Sequence, residues 1–86
     1  MFNKDSLRRA LALATRTRRL ELGLSQEELG GRCGMHRNYI GLIEQARVTP
    51  TIQTLFRLAD GLGSSPVDVV ARIEDCLDRL EHDAVL

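Results

Sequence analysis

Residues 25–45 read SQEELGGRCGMHRNYIGLIEQ, two short stretches of helical apolar spacing hinged at Gly34. The first opens on a cap. Ser25 stands three residues ahead of Glu28, the spacing at which a serine hydroxyl and a glutamate carboxylate each satisfy the other's backbone N–H at a helix start. This stretch lasts about two turns before Gly34, a residue that ends helices by entering the left-handed conformation. The second runs from His36 to Gln45, with Ile40 and Ile43 on one face. Helices of two or three turns are not stable alone in water. Both must be held by packing, against each other across the Gly34 turn and against longer helices on either side. That requirement is met by a helix-turn-helix.

The flanking sequence supplies the other helices. One is expected from Asp5 or Ser6 to Leu22, stopping at Gly23. Another is TIQTLFRLADGLG, capped by Thr51 after Pro50, with Ile52, Leu55, Phe56, Leu58, Ala59 and Leu62 at helical spacing and an end at Gly61 or Gly63. The last has Ser65 as cap, Pro66 at its first position and Asp68 in its first turn, and is expected to reach about His82. The 86 residues leave room for one domain, 1–86, and not for a second. Apolar residues make up 43% and aromatics only 3%, so the core is built from Leu, Ile, Val and Ala, a composition suited to packed helices. The expected fold is all-α, a compact five-helix domain whose second and third helices form the helix-turn-helix, with an extended C-terminal helix.

That C-terminal helix, about residues 66–82, is longer than a small domain needs. Its stripe of Val67, Val70, Ile73, Leu77 and Leu80 is expected to pack on the core at its start. Ile73, Cys76, Leu77 and Leu80 are expected to extend past the core and make a dimer contact. In the alternative, the stripe folds back over Leu7, Ala10, Leu11 and Ala14 of the first helix.

The formal net charge is zero, which alone argues against a nucleic-acid partner, because phosphate binding depends on excess Lys and Arg. The distribution argues the other way. Residues 1–50 carry nine basic and five acidic side chains, net +4, whereas the remaining 36 carry three basic and seven acidic, net −4. The basic half reads as the working surface, and the acidic half as facing solvent or another protein.

Cys33 and Cys76 are isolated thiols without CxxC spacing. With His36 and His82 they include metal-ligating chemistry, but only the two short spacings are local and neither repeats. Buried small thiols and surface imidazoles are the preferred reading, and no metal or cofactor is expected. No stretch resembles a signal peptide or a membrane span, which makes a reduced, cytoplasmic protein with no membrane partner the default. There is no Ser/His/Asp set, phosphate loop or carboxylate pair in a plausible cleft to suggest an enzyme.

On a helical wheel Ile40 and Ile43 face inward, while Arg37, Asn38, Gly41, Leu42 and Gln45 fall on the opposite side. A helix with its side chains fits the major groove of duplex DNA, where every base pair shows a distinct pattern of donors, acceptors and methyl groups. Arg can grip guanine O6 and N7 with two bonds, Asn can do the same for adenine N6 and N7, and Leu42 can touch a thymine methyl. Gly41 costs about 1 kcal/mol of helix propensity against Ala, which suits a helix that must approach DNA or another helix closely. Arg8, Arg9 and Arg16 read instead as a solvated face.

The stretch LSQEELGGRCGMHRNYIGLIEQARVTPTIQTLFRLADGLG closely resembles the lambda-repressor-like, xenobiotic-response-element family of helix-turn-helix regulators, over about residues 16–70. The family pattern reads LSQEELA, a turn, a polar YIS-like helix, IE, a basic loop with a Pro, and LLRLADALG. The resemblance implies roles position by position. Arg37, Asn38 and Leu42 would read bases, and Gln26 would bond a phosphate while bracing the reading helix. His36, Tyr39, Gln45 and Arg47 would lie near the DNA backbone, fixing register without reading sequence. Arg19 and Glu44 match a family ion pair that joins the first helix to the third, a structural role.

Some positions depart from the pattern. Thr15 and Arg18 stand where the family usually has aliphatic residues. Gly30 and Gly31 replace an Ala and a helix former, which is expected to weaken the second helix, and Ala46 replaces a frequent Gly where the chain must turn.

The expected function is that of a sequence-specific double-stranded DNA-binding transcription regulator. A homodimer would place two reading helices about 34 Å apart on a near-palindromic operator. The RNY segment of the third helix makes the chain most similar to the controller proteins of restriction-modification systems, with phage-type repressors and antitoxins close behind. The alternative is an antitoxin or other protein-interaction module whose acidic C-terminal half binds a protein partner.

Overall fold

Five helices account for most of residues 3–85, which the computed structural model describes, with side chains as far as His82. They are α1 (Lys4–Glu21), α2 (Gln26–Cys33), α3 (Arg37–Glu44), α4 (Ile52–Gly61) and α5 (Pro66–Val85). All but α3 begin where a short polar side chain accepts a bond from a free N–H of the first turn. Asn3 caps α1 through the Ser6 N–H at 2.7 Å, Thr51 caps α4 through Thr54 at 3.2 Å, and Ser65 caps α5 through Asp68 at 3.1 Å. At α2 the reciprocal box is complete: the Glu28 N–H donates to Ser25 Oγ and the Ser25 N–H donates to Glu28 Oε1, both at 3.0 Å. Those bonds, that to the Ser25 backbone foremost, hold the Glu28 carboxyl below its ordinary pKa. The cap of α3 is His36, so the helix starts one residue later than apolar spacing suggests and ends at Glu44.

One core unites the helices. Leu11, Leu29, Ile40, Ile43, Leu58, Leu62 and Val69 are buried within it. Ile40 and Ile43 are wholly buried, and burial of each such side chain stabilises by about 1.5–3 kcal/mol. That is how an eight-residue helix survives, since its own nucleation is unfavourable. α2 packs on α3 and α4, α3 packs on α1, and α5 packs on α1 and α4.

The turn between α2 and α3 explains Gly30. A Cβ added there would stand 2.5 Å from the Met35 carbonyl oxygen and 3.3 Å from the Arg37 nitrogen, both backbone atoms. The Met35 N–H also donates to the Gly30 carbonyl at 2.9 Å. The helix propensity given up at Gly30 thus allows the chain to fold tightly over α2 and start α3. Gly31 has open space around its Cβ position, so no such requirement holds there. Beyond α3, Ala46 adopts φ 60°, a left-handed conformation that costs a non-glycine residue roughly 1–2 kcal/mol. The turn is closed by bonds from Ala46 N–H to the Ile43 carbonyl and from Arg47 N–H to the Leu42 carbonyl, both 3.0 Å.

The other two departures in α1 have different outcomes. Arg18 points along the protein and donates from Nε to the Leu62 carbonyl at 3.0 Å, closing the end of α4. Thr15 is buried at 1% exposure, and its Oγ1 has no hydrogen-bond partner.

α5 lies back along α1 over its length. Ile73 packs against the core, Cys76 borders a hollow together with Leu13, Ala14 and Thr17, and Leu80 borders another with Ala12 and Leu13. Leu77 is half-buried. The small side chains Ala10 and Ala14 make α1 narrow enough for this approach, and Arg72 fastens it by two bonds to Glu21, the shorter 3.1 Å. The stripe of Ile73, Cys76, Leu77 and Leu80 is thus covered in part by α1 and stays half-exposed.

Candidate nucleic-acid interface

Three helices are locked to one another beneath α3. Arg19 Nε donates to Glu44 Oε2 at 2.7 Å and its Nη2 to Oε1 at 2.9 Å, the two-pronged geometry in which guanidinium and carboxylate fit best. The third prong, Nη1, donates to the Leu24 carbonyl at 2.7 Å, so one side chain joins α1, the chain ahead of α2, and α3. Gln26 completes the group by donating from Nε2 to Glu44 Oε1 at 3.3 Å. The two side chains of the ion pair are only 11% and 5% exposed, and the Glu44 bond raises the Arg19 pKa above its ordinary value. α3 is thereby fixed in rotation as well as position.

That rotation decides what α3 shows to solvent. Arg37 and Asn38 stand exposed in its first turn, and Gln45 and Arg47 are exposed at its far end. His36 is exposed at the start, and its Nδ1 accepts the Asn38 N–H at 3.0 Å. Because Nδ1 accepts, the neutral ring carries its proton on Nε2. Leu42 is half-buried, with part of its side chain at the surface. Tyr39 is half-buried too and packs against the core. Gln26 sits over the middle of α3, half-buried, with one of its two amide donors given to Glu44.

Gly41 is placed differently from the helical-wheel expectation. It is buried, and a Cβ added there would lie 3.6 Å from Gln26 Oε1 and 3.8 Å from Gln45 Nε2. The neighbours of Gly41 are thus the ends of the Gln26 and Gln45 side chains, at ordinary contact distance.

Two cations lie beside this surface that the sequence pattern does not single out. Arg9 and Arg16 are exposed on α1 and border a shallow hollow with Gln45 and Ala46 at the end of α3. Their separation of two helical turns in α1 was the available signal. It carries no meaning until the fold sets that face of α1 next to α3. Arg8 has a separate task, donating from Nε to Thr49 Oγ1 at 2.9 Å and so tying the α3–α4 connection to α1.

A second surface is apolar. Ile52 (70% exposed), Phe56 (55%), Val67 (76%) and Val70 (48%) gather where α4 meets the start of α5. Next to them a groove of about 250 Å³ opens between α1, the α3–α4 connection and α5, lined by Leu7, Leu11, Val48, Leu55 and Ile73 among others. On α5 the acidic residues Asp68, Glu74, Asp75, Asp78 and Glu81 are all exposed.

Cys33 is buried and Cys76 half-buried, and burial raises the pKa of both thiols. Among the described residues no three His, Cys, Asp or Glu side chains gather as a metal site would require. Among those residues, no helix is long and apolar enough to cross a membrane.

Comparison with known proteins places these features in a family. A family model described as helix-turn-helix matches residues 16–69. An HTH-type transcriptional regulator of Sinorhizobium fredii is 40% identical over 57 residues, which cover 66% of this chain and 74% of that protein. The control protein C.SmaI of Serratia marcescens is 36% identical over 66 residues, 77% of this chain and 79% of its own. Among solved structures, the restriction-modification controller protein C.Esp1396I is similar in fold. Its tetramer, in complex with its natural 35 base-pair operator, matches with a TM-score of 0.77 at 28% identity, covering 83% of this chain and 93% of that one.

Proposed function

We propose that this chain, which belongs to the helix-turn-helix family HTH_3, is a cytoplasmic transcription regulator that reads double-stranded DNA through the major groove as a homodimer. One observation carries the reading: α3 is clamped on its inner side by Arg19, Glu44 and Gln26 and presents Arg37 and Asn38, exposed, from its first turn. An exposed two-donor fork and a donor–acceptor amide on a rotationally fixed helix are what direct base readout requires. The likeness to a controller protein solved with its operator supports the same placement.

In this reading Arg37 and Asn38 contact base edges and Leu42 touches a thymine methyl. The second amide proton of Gln26, the His36 Nε2–H, Gln45 and Arg47 reach phosphates, and Arg9 and Arg16 extend that backbone contact beyond the end of α3. Tyr39 contributes mainly through its packing. Occupancy of the operator would block polymerase or recruit it from an adjacent site.

The homodimer joins through the apolar surface of Ile52, Phe56, Val67 and Val70, which is more exposed than the half-buried stripe of Ile73, Cys76, Leu77 and Leu80. A cluster of this kind on a small protein marks an association site. A two-fold axis there would pair two reading helices across a near-palindromic operator, with half-sites about one helical turn apart. The exposed acids of α5 favour a second reading, in which a basic protein partner binds that helix and modulates DNA binding. Copurification of a stoichiometric partner from the native source tells the two apart.

Selection of bound sequences from a random duplex pool tests the proposal. A near-palindromic winner supports it, and a pool without enrichment rejects it.

A further inference from the structure

We propose that Glu27 is a specificity-determining residue that holds the Arg37 guanidinium away from non-cognate DNA; this rests on the base-reading role given to Arg37 above. Glu27 lies in the first turn of α2 and Arg37 at the first position of α3, and the tight turn permitted by Gly30 brings the two together. Arg37 Nη1 stands 3.6 Å from Glu27 Oε2. The side chains are 62% and 76% exposed, so neither is immobilised by packing and the pair is free to open.

The neighbouring carboxylates have other duties. Glu28 is bonded to Ser25 in the cap of α2, and Glu44 is held by Arg19 and Gln26. Glu27 makes no such bond; its charge suits the first turn of α2, as any acid there would, and it also stands beside the residue meant to meet DNA. A carboxylate there repels phosphates in every register. Its pairing with Arg37 gives that repulsion a use.

The pair sets up a competition. Guanine offers Arg37 two acceptors that match its fork, an arrangement stronger than a single exposed ion pair. A phosphate met in a wrong register offers one screened charge, little better than the carboxylate that already holds the guanidinium. Arg37 leaves Glu27 for its cognate base and stays with it elsewhere. Non-cognate DNA then meets a neutral pair in place of a free cation, on a chain whose formal net charge is already zero.

The test compares wild type, Glu27→Gln, Arg37→Ala and the double variant. Each is titrated with the selected operator and with a scrambled duplex of equal length, over a range of salt concentrations. Both side chains are exposed, and thermal melts verify that the variants fold. Glu27→Gln is expected to raise affinity for the scrambled duplex roughly two- to five-fold, the size of an exposed ion pair. It should also steepen the log–log salt slope on that duplex by about 0.9, as one more cation becomes available. Operator affinity should change less, so discrimination falls.

The double variant, like wild type, carries no net charge at this spot and should bind scrambled DNA about as wild type does, whereas Arg37→Ala alone leaves the Glu27 carboxylate unpaired and should bind it more weakly. An equal gain on both duplexes, or a double variant that binds scrambled DNA as tightly as Glu27→Gln, makes Glu27 a general repulsive charge and overturns the proposal. A sequence preference lost in Arg37→Ala but untouched by Glu27→Gln overturns this proposal alone. A wild type that prefers no duplex overturns the base-reading role, and this one with it.

Discussion

Replacing Gly30 with Ala sets two effects of opposite sign against each other. In an isolated helix the change stabilises, by about 1 kcal/mol of propensity. In this fold the new Cβ would stand 2.5 Å from the Met35 carbonyl oxygen and 3.3 Å from the Arg37 nitrogen, atoms of the turn itself that cannot swing aside as a side chain would. Relieving that overlap means moving the start of α3, and because the obstructing atoms are backbone the cost falls at the upper end, about 2–3 kcal/mol, of what overpacking usually brings. The net expectation is a loss of about 1–2 kcal/mol, which in a domain of this size lowers Tm by roughly 4–16 °C. Gly31→Ala is the matched control. It adds the same methyl in the same helix with nothing within 4 Å, and should raise stability by about 0.5–1 kcal/mol. Thermal and urea unfolding followed by circular dichroism measure both. If Gly30→Ala is as stable as wild type or more so, the close passage of the turn over α2 is wrong.

Four further outcomes follow from the packing and the charges. Glu44→Ala leaves the Arg19 guanidinium largely buried with only the Leu24 carbonyl as a partner, and should cost about 3 kcal/mol by urea unfolding, more than removing both partners together as Arg19→Leu with Glu44→Leu. Thr15→Val keeps the volume and removes a buried hydroxyl that has no partner, and should raise stability by about 1 kcal/mol by the same assay. Bonds from Arg72 first, and then from Arg18, hold the Glu21 carboxyl below its ordinary value of 4.5. Its contribution is present above about that pH and is lost as pH falls through the lowered value, so Glu21→Gln should flatten the acid limb of a stability–pH curve without changing its position below the transition. Phe56→Asp, placed at a half-exposed position on the apolar surface, should yield a folded monomer by sedimentation, whereas Leu77→Asp should destabilise the fold by disturbing the contact of α5 with α1.

Helix starts were legible in the chain because capping is local: Ser25 with Glu28, Thr51, and Ser65 with Pro66 each declare a beginning within four residues. The inward face of α3 was equally legible from Ile40 and Ile43. What escaped were facts created by packing between distant segments. Gly30 looks like a weakness when only propensity is counted, and its use becomes visible when Met35 crosses it. The stripe on α5 is the same set of residues whether it covers α1 or a second copy. Spacing cannot choose between them, and Ala10 and Ala14, which let α5 approach, lie some sixty residues earlier in the chain. Arg9 and Arg16 looked like any solvated pair until the fold set them beside Gln45. Gly41 falls on the outer half of an ideal wheel, but Gln26 reaches over it from α2, and no pattern within α3 carries that information.

Base reading by Arg37 is the claim on which the functional account depends. The direct measurement is fluorescence anisotropy of wild type and Arg37→Ala on the selected duplex and its single base-pair variants at fixed salt. The account predicts that the mutant loses about 1–3 kcal/mol of discrimination at one base pair and keeps its preferences at the rest. A uniform loss across all duplexes would make Arg37 a phosphate contact, and that result would contradict the account.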